Sequence, residues 1–519
     1  MTKRVLSLLL AALMLATTFL FAACGGESGN TTTPVVTTDP AAPGGDDVTQ
    51  APVTTAGLAI EDEDLEEYEF LVYEVYLDSY FSSGDFTYTE GSGAVLDEAK
   101  YKRNSLVEEK FNITITSEIV KGTSTTGSNE GYGKMLQAKN AGDPTYDLVV
   151  LPAYDQSKLA QNGGLYDMNA VPHLDFDQPY WAQSVIEDLT IKDTLFFLVG
   201  DYSIDGIDAC VAVIFNKDLA AEKGWEGQFY KDVENGAWTF EKFKEYASQI
   251  SEDLNGDDKF TNMDLYGALS WDDAIYAVVH SAGEKCADVD DNGDLVLGLG
   301  SEAVYDAFSN YVNFFKEDCA LRYQVTFNDN GTWKDNSGSL YGREMFSNSQ
   351  GLFFIGTIAT ASNSFRDMDV DYGILPMFKA NGNVENYYGS VAPYSARFLG
   401  APLHQNDVEI LGKVLETISY YSSSTIIPAY YDKTLNGTVV RDEESSPMLD
   451  IIRKNRVYDL GYFYQPGNIN KELIYQFRAS NADWMSTYAK REKSATVFLN
   501  NINKALTKLA DEWAADKQQ

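Results

Sequence analysis

Tyr146-Asp147-Leu148-Val149-Val150-Leu151-Pro152 is the stretch that decides how this chain is read. Four apolar residues follow one another with no polar residue between them. A strand with water on one face alternates, and this one does not. It is expected to be buried on both faces, as in a parallel sheet covered by helices. Ala153-Tyr154-Asp155 comes next, then a short helix expected over 157–162 and closed by Gly163-Gly164. A helix expected over 132–140 precedes the strand. Strand and helix therefore alternate, which predicts an α/β body whose sites lie just past strand C-terminal ends.

The same alternation extends in both directions. Tyr68-Glu69-Phe70-Leu71-Val72-Tyr73 reads as a strand, 98–111 as a helix and Asn112-Ile113-Thr114-Ile115-Thr116 as a second strand. Further on, strands are expected over 194–199, 211–215, 351–355 and 372–376. Helices are expected over 240–250, with Thr239 as N-cap, and over 407–421 and 496–513.

The first sixty residues are of another kind. Lys3 and Arg4 precede an apolar run that ends in Phe21-Ala22-Ala23-Cys24-Gly25-Gly26. A basic start, a short apolar core and small residues before a cut form an export signal. With Cys at the cut, the segment resembles the lipobox of bacterial lipoproteins, although Phe21 stands where Leu is usual. The resemblance implies that Cys24 is lipidated and becomes the new N-terminus, holding the protein on the extracellular face of the cell membrane. From 24 to 60, Thr, Pro, Gly, Ala and Asp dominate without apolar periodicity, so this part is expected to be a disordered tether.

About 460 residues remain after the tether, more than one small core accommodates, so at least two domains are expected. The 78 acidic and 39 basic residues leave a formal charge of -39, which opposes nucleic acid and anionic headgroups as partners. His173, His280 and His404 have no zinc spacing. Of the remaining cysteines, Cys286 and Cys319 could pair outside the cell, and Cys210 would then be left over. The 33 Tyr and 7 Trp supply core, and also the flat faces that extracellular sugar receptors use.

Several runs resemble, in order, the extracellular solute-binding proteins of ABC importers, in the maltose-binding-protein-like branch. They are Tyr146-Asp147-Leu148-Val149-Val150, Leu159-Ala160-Gln161-Asn162-Gly163-Gly164-Leu165-Tyr166-Asp167, Val213-Ile214-Phe215-Asn216-Lys217-Asp218-Leu219, Trp238-Thr239-Phe240-Glu241-Lys242-Phe243 and Val370-Asp371-Tyr372-Gly373-Ile374-Leu375-Pro376. Tyr101-Lys102-Arg103-Asn104, Arg441-Asp442-Glu443-Glu444-Ser445 and Tyr458-Asp459-Leu460-Gly461 resemble a long subgroup from Gram-positive anaerobes. The likeness covers nearly all of the chain after Glu61. It implies a bilobed periplasmic-binding-protein-like fold, two α/β lobes joined by a multi-strand hinge and closing on a solute. The chain would cross near 198–203, 374–376 and 426–430. Residues 1–23 would then be the signal and 24–60 the tether. One lobe would comprise 61–200 with 374–426, the other 201–373 with 427–519. The implied partners are a small solute, most plainly a carbohydrate, and a membrane permease; the protein is expected to be a monomer.

A sugar site needs aromatic faces for C–H surfaces and planar polar groups for hydroxyls. Tyr154 and Asp155 follow the first-lobe strand. Asp205 and Asp208 lie beside the first crossing. Trp271 and Asp272 follow Tyr266-Gly267-Ala268-Leu269-Ser270, and Tyr388 comes after the second crossing. These seven are the expected ligand contacts.

Asp253-Leu254-Asn255-Gly256-Asp257-Asp258-Lys259-Phe260-Thr261-Asn262-Met263-Asp264 resembles the calcium loop of EF-hands and dockerins. Asp253, Asn255, Asp257, Thr261 and Asp264 place side-chain oxygens at positions 1, 3, 5, 9 and 12, and Lys259 can offer its carbonyl at 7. Asp258 stands where a Gly eases the turn, and Asp264 is shorter than the usual Glu. A structural Ca²⁺ is expected. Asp288-Val289-Asp290-Asp291-Asn292-Gly293-Asp294 is weaker in this respect, and its Asn292-Gly293 predicts a hairpin turn instead.

Three functions fit these features. The first is solute capture for an importer. The second is a sensory or adhesive surface lipoprotein on the same fold. The third is a surface polysaccharide hydrolase, which requires paired carboxylates. No nucleophile or phosphate-loop pattern stands out, and the chain is expected not to be an enzyme.

Overall fold

The computed structural model describes residues 57–77, 84–323, 325–327, 333–335, 338–366, 368–433 and 444–516. The signal, Cys24 and nearly all of the tether lie outside the described residues, as do Arg441-Asp442-Glu443. Among the described residues no helix is long and apolar enough to cross a membrane.

The strands used below are β1 (Tyr68–Tyr76), β2 (Ile113–Lys121), β3 (Leu148–Pro152), β4 (Val211–Asn216), β5 (Ser251–Glu252), β6 (Leu265–Ser270), β7 (Ala287–Val289), β8 (Leu295–Leu297), β9 (Ala320–Arg322), β10 (Gly351–Thr357), β11 (Tyr372–Pro376), β12 (Gly389–Ser390), β13 (Arg397–Gly400) and β14 (Arg456–Val457). The helices are α1 (Val95–Phe111), α2 (Lys134–Ala141), α3 (Ala153–Gln161), α4 (Gln183–Leu189), α5 (Asp205–Asp208), α6 (Phe240–Ala247), α7 (Ala274–Ser281), α8 (Val408–Lys433), α9 (Ser445–Lys454), α10 (Leu460–Tyr464) and α11 (Trp484–Asp516).

The first lobe is built on a 4-stranded sheet in the order β13-β3-β1-β2. β1 runs parallel to both β2 and β3, and β13 closes the edge antiparallel to β3. Every residue of β3 is buried, as its unbroken apolar run requires. Just before it, Asp147 accepts from Tyr68 Oη at 2.6 Å and from the Leu71 amide at 2.8 Å, which sets β3 against β1.

The second lobe carries a 6-stranded sheet ordered β11-β4-β10-β6-β5, with β9 beside β6. β4 shows how it is placed. Ala212 and Ile214 point into the core shared with the first lobe, and Val211, Val213 and Phe215 point into a second core. A strand exposes alternate residues to opposite faces, so one all-apolar strand feeds both cores. At Gly267, in β6, a Cβ would fall 1.9 Å from the Ala247 carbonyl oxygen, so only glycine lets α6 end this close to the sheet.

The lobes are joined by paired segments. Leu198 bridges Leu399, and Cys210 bridges Val391, both antiparallel, so 198–210 and 391–399 lie side by side as the hinge. Three sequence expectations change here. Residues 374–376 do not cross: they sit inside β11, hydrogen-bonded along β4, and the chain passes to the first sheet only between Pro376 and Arg397. Residues 426–430 do not cross either, because the helix expected to end at 421 continues to Lys433 along α1. An apolar strand or helix signal reports burial but not the sheet it is buried against. The strand expected over 194–199 is reduced to single bridges at Thr194 and Leu198. The expected hairpin is present: β7 and β8 pair antiparallel around a turn with Gly293 at φ 74°.

Candidate functional site

β6 ends at Ser270, and α7 begins at Ala274. The three residues between them, Trp271, Asp272 and Asp273, therefore stand where a strand hands over to a helix, the position at which α/β proteins place ligands. Trp271 is half-buried and packs against both cores. Its ring meets Tyr394, on the second crossing, edge-on at 5.3 Å and 87°. Asp272 is fully buried and pairs with Arg478 through Nε. Arg322, at the end of β9, donates to the carbonyls of Phe477 and Arg478, fixing the segment that carries this arginine.

Asp273 is half-buried, and its carboxyl is pushed up to about 7. Burial is the main cause and the Asp272 carboxylate adds to it, against the pull of Arg478 and a hydrogen bond with Tyr462. Tyr462, on α10, stacks on Tyr276 with ring centroids 3.7 Å apart.

The first lobe contributes Tyr154. The helix expected to begin at Ser157 starts at Ala153, so Tyr154 lies on the first turn of α3. Its phenol faces Asp273 and forms a hydrogen bond with Gln465, and burial raises it above the ordinary tyrosine range. Gln465 is held at φ 52°, the left-handed region that non-glycine residues rarely occupy. Four separate parts of the chain thus meet between the lobes: α3, the 271–273 turn, the second crossing, and the segment from Tyr462 to Arg478. Together they form a corner of half-exposed aromatic rings with one carboxyl group and one guanidinium.

Of the seven expected contacts, Tyr154, Trp271 and Asp272 come together here, with Asp272 lying beneath the surface. The other four are placed elsewhere. Asp155 turns away to accept from the amides of Gly127, Ser128 and Tyr132 and from Ser128 Oγ. Asp205 pairs with the buried Arg397 at 2.5 Å. Asp208 accepts from Tyr430 Oη at 2.7 Å, tying α5 to α8. Tyr388 lies near Gly283, past the C-terminal end of α7, about 12 Å along that helix from Asp273. Asp273, Tyr394, Tyr462, Gln465 and Arg478 were missed. Asp273 adjoins Asp272 in sequence and could have been included. The others carry no local signal.

The loop 253–264 folds on its own amides. Asp253 accepts from Gly256 and Asp258, Asn255 from Asp257, Asp257 from Lys259, and Asp264 from Leu254 and Thr261. Asp258, at position 6, takes φ 59°. The donor types suit a hard cation, yet among the described residues no group of three His, Cys, Asp or Glu side chains is arranged to hold a metal ion. Cys210, Cys286 and Cys319 are all buried free thiols, so the pairing of Cys286 with Cys319 does not occur.

No family model matches this chain, and no curated protein does. Among solved structures it is similar to the maltose/maltodextrin-binding domain MalE from Bdellovibrio bacteriovorus bound to maltotriose, at 12% identity over 83% of this chain and 98% of that one, with TM-score 0.48. It is similar to the ABC substrate-binding protein Lmo0181 from Listeria monocytogenes in complex with cycloalternan, at 13% identity over 85% and 100%, with TM-score 0.48. A solute-binding protein of an ABC transporter from Thermotoga lettingae TMO, bound with α-D-tagatose, gives 15% identity over 85% and 100%, with TM-score 0.45. These likenesses are distant. The bilobed assignment rests on the two sheets and the paired crossings.

Proposed function

We propose that this protein is a substrate-binding lipoprotein of an ABC importer that captures a sugar or oligosaccharide between its lobes and delivers it to a membrane permease. The observation that carries the reading is the corner formed by Tyr394 and Trp271, the latter on the same turn as Asp273, which Tyr154 faces from the other lobe. Rings set at a right angle offer two flat apolar faces to a pyranose, and the carboxyl and guanidinium groups serve its hydroxyls. Binding is favoured over hydrolysis because Asp272 is buried beneath the surface and committed to Arg478, which leaves Asp273 as the one carboxyl of the corner. A glycosidase needs its two carboxyls on opposite sides of the scissile bond.

Two further parts belong to this proposal. Cys24 carries the lipid that holds the protein outside the cell, with 24–60 as tether, and Cys24→Ala would release it into the medium. The loop 253–264 binds Ca²⁺ as a structural clamp, through Asp253, Asn255, Asp257, Lys259, Thr261 and Asp264. Ion binding would require those oxygens to be shared between the ion and the amides they now accept from.

The test is a thermal-shift and calorimetric screen of mono- and oligosaccharides. A sugar that binds only the folded state raises the melting temperature as its concentration passes the Kd. A sugar that does so and is recovered unchanged supports the reading. No shift with any sugar, in a protein that melts cooperatively, counts against it.

A further inference from the structure

α11 is 33 residues long and touches both lobes. At its start, Trp484 is buried in the second core, and its indole donates to the Leu299 carbonyl at 2.8 Å. Further along, Leu499, Ile502 and Leu506 enter the core that the second lobe shares with the first. Leu509 then reaches Gly163, just past the end of α3, where a glycine Cβ would fall 2.9 Å from its side chain. From Trp484 to Leu509 a helix advances about 38 Å. A rigid rod therefore lies along both lobes.

Midway, the rod holds the β7–β8 hairpin. Asn503 accepts from the Leu295 amide at 2.9 Å and donates to the Leu295 carbonyl at 3.0 Å. The hairpin in turn grips the first lobe just after α4. Lys192 Nζ donates to the Asn292 carbonyl at 2.7 Å and pairs with Asp294 at 3.0 Å. Lys285 pairs with Asp188 at 2.7 Å. The Gly293 backbone lies against that of Lys192, leaving 3.3 Å for a Cβ. Lys192 and Asp193 take φ 53° and 59°, so the turn that offers the lysine is held in an unusual conformation. These contacts link the lobes separately from the chain crossings. Extended crossings can bend, whereas a helix cannot follow a rotation of one lobe without losing a contact at one end.

We propose that the β7–β8 hairpin and the C-terminal half of α11 form a clasp that sets the balance between lobe arrangements. Rotation of one lobe must break the Lys192 and Asp188 contacts or lift Leu509 from Gly163. The apparent affinity of any ligand that needs one arrangement scales with the fraction of molecules in it, so the clasp also sets affinity. The inference concerns lobe motion and does not depend on which solute binds.

The test places spin labels at the exposed Asn140 and Lys223, one on each lobe, as Asn140→Cys and Lys223→Cys, and measures their distance distribution without ligand. Lys192→Glu and Leu509→Ser are each expected to shift or broaden the distribution. The charge swap Lys192→Glu with Asp294→Lys remakes the ion pair but not the bond to the Asn292 carbonyl, and is expected to move the distribution back toward the parent's, which a misfolded variant could not do. If both single variants match the parent, or if the swap leaves the distribution where Lys192→Glu put it, the clasp is wrong. If the distances respond as expected but no sugar binds, the clasp stands and the proposed function fails instead.

Discussion

The Asp205 carboxylate, on the first crossing between the lobes, lies 2.5 Å from Nε of Arg397 on the last strand of the first sheet. The same buried guanidinium also faces Asp85 at 3.1 Å and Glu74 at 3.7 Å. Arg103 and Lys100 stand nearby and donate to the carbonyls of Asp85, Tyr202 and Gly84. Three carboxyl groups around one arginine are not all readily ionised in a dry interior. Burial, with Asp85 adding to it, pushes Asp205 up to about 7 in spite of Arg397, and burial raises Glu74 as well.

A carboxyl raised in the folded state holds a proton that the unfolded chain has released above about pH 4. Its contribution to stability is therefore full below that pH and is lost as pH rises through about 7. Urea unfolding at pH 5, 6, 7 and 8 should show stability falling, by at most about 1.4 kcal/mol per pH unit from this one group. Asp205→Asn should change stability little at pH 5, where the carboxyl already carries its proton, and its stability should fall less as pH rises through about 7.

Asp155 organises the 127–132 turn by accepting from three amides and one hydroxyl. Asp155→Ala would leave these donors without their acceptor and should cost about 3 kcal/mol in urea unfolding. A cost under about 1 kcal/mol would show that water replaces it.

Trp271 and Tyr388 were both expected to touch ligand, and the fold separates them. With any sugar found in the screen, Trp271→Ala and Tyr394→Ala should each weaken binding at least about tenfold, or about 1.4 kcal/mol. Tyr388→Ala should leave the calorimetric Kd within about twofold. Equal losses at Trp271 and Tyr388 would move the site away from the 271–273 turn.

The buried thiols should be silent. Burial raises Cys210 to about 12, and it raises Cys286 and Cys319 as well, Cys286 with the Asp459 carboxylate adding to the effect. Ellman's reagent should find all three unreactive in the native protein and reactive in guanidinium, and a reductant should leave the melting temperature unchanged. A drop with reductant would require a disulfide.

Calcium at about ten times its Kd should stabilise the protein by about 1.4 kcal/mol. Asp257→Ala and Asp264→Asn should abolish the gain. An equal gain in parent and variants would place the ion elsewhere.

Local order was legible in the residues. The unbroken Leu148-Val149-Val150-Leu151 run determined a strand buried on both faces, and the apolar run 211–215 a further strand. Asn292-Gly293 determined a hairpin, and Thr239 the start of α6 through its hydrogen bond from the Lys242 amide. Such signals live in neighbouring residues, whose spacing sets which side chains share a face. What surrounds those faces was left to the tertiary structure. It kept 374–376 within the second sheet, carried α8 past 426–430, turned Asp155 onto a distant loop and Asp205 onto Arg397. It also brought Tyr154, Asp273, Tyr394, Tyr462 and Arg478 together from segments far apart in the chain. Apolar burial is non-directional, so a sequence pattern marks the face that must be covered, and only the packed chain decides what covers it and which polar groups meet there.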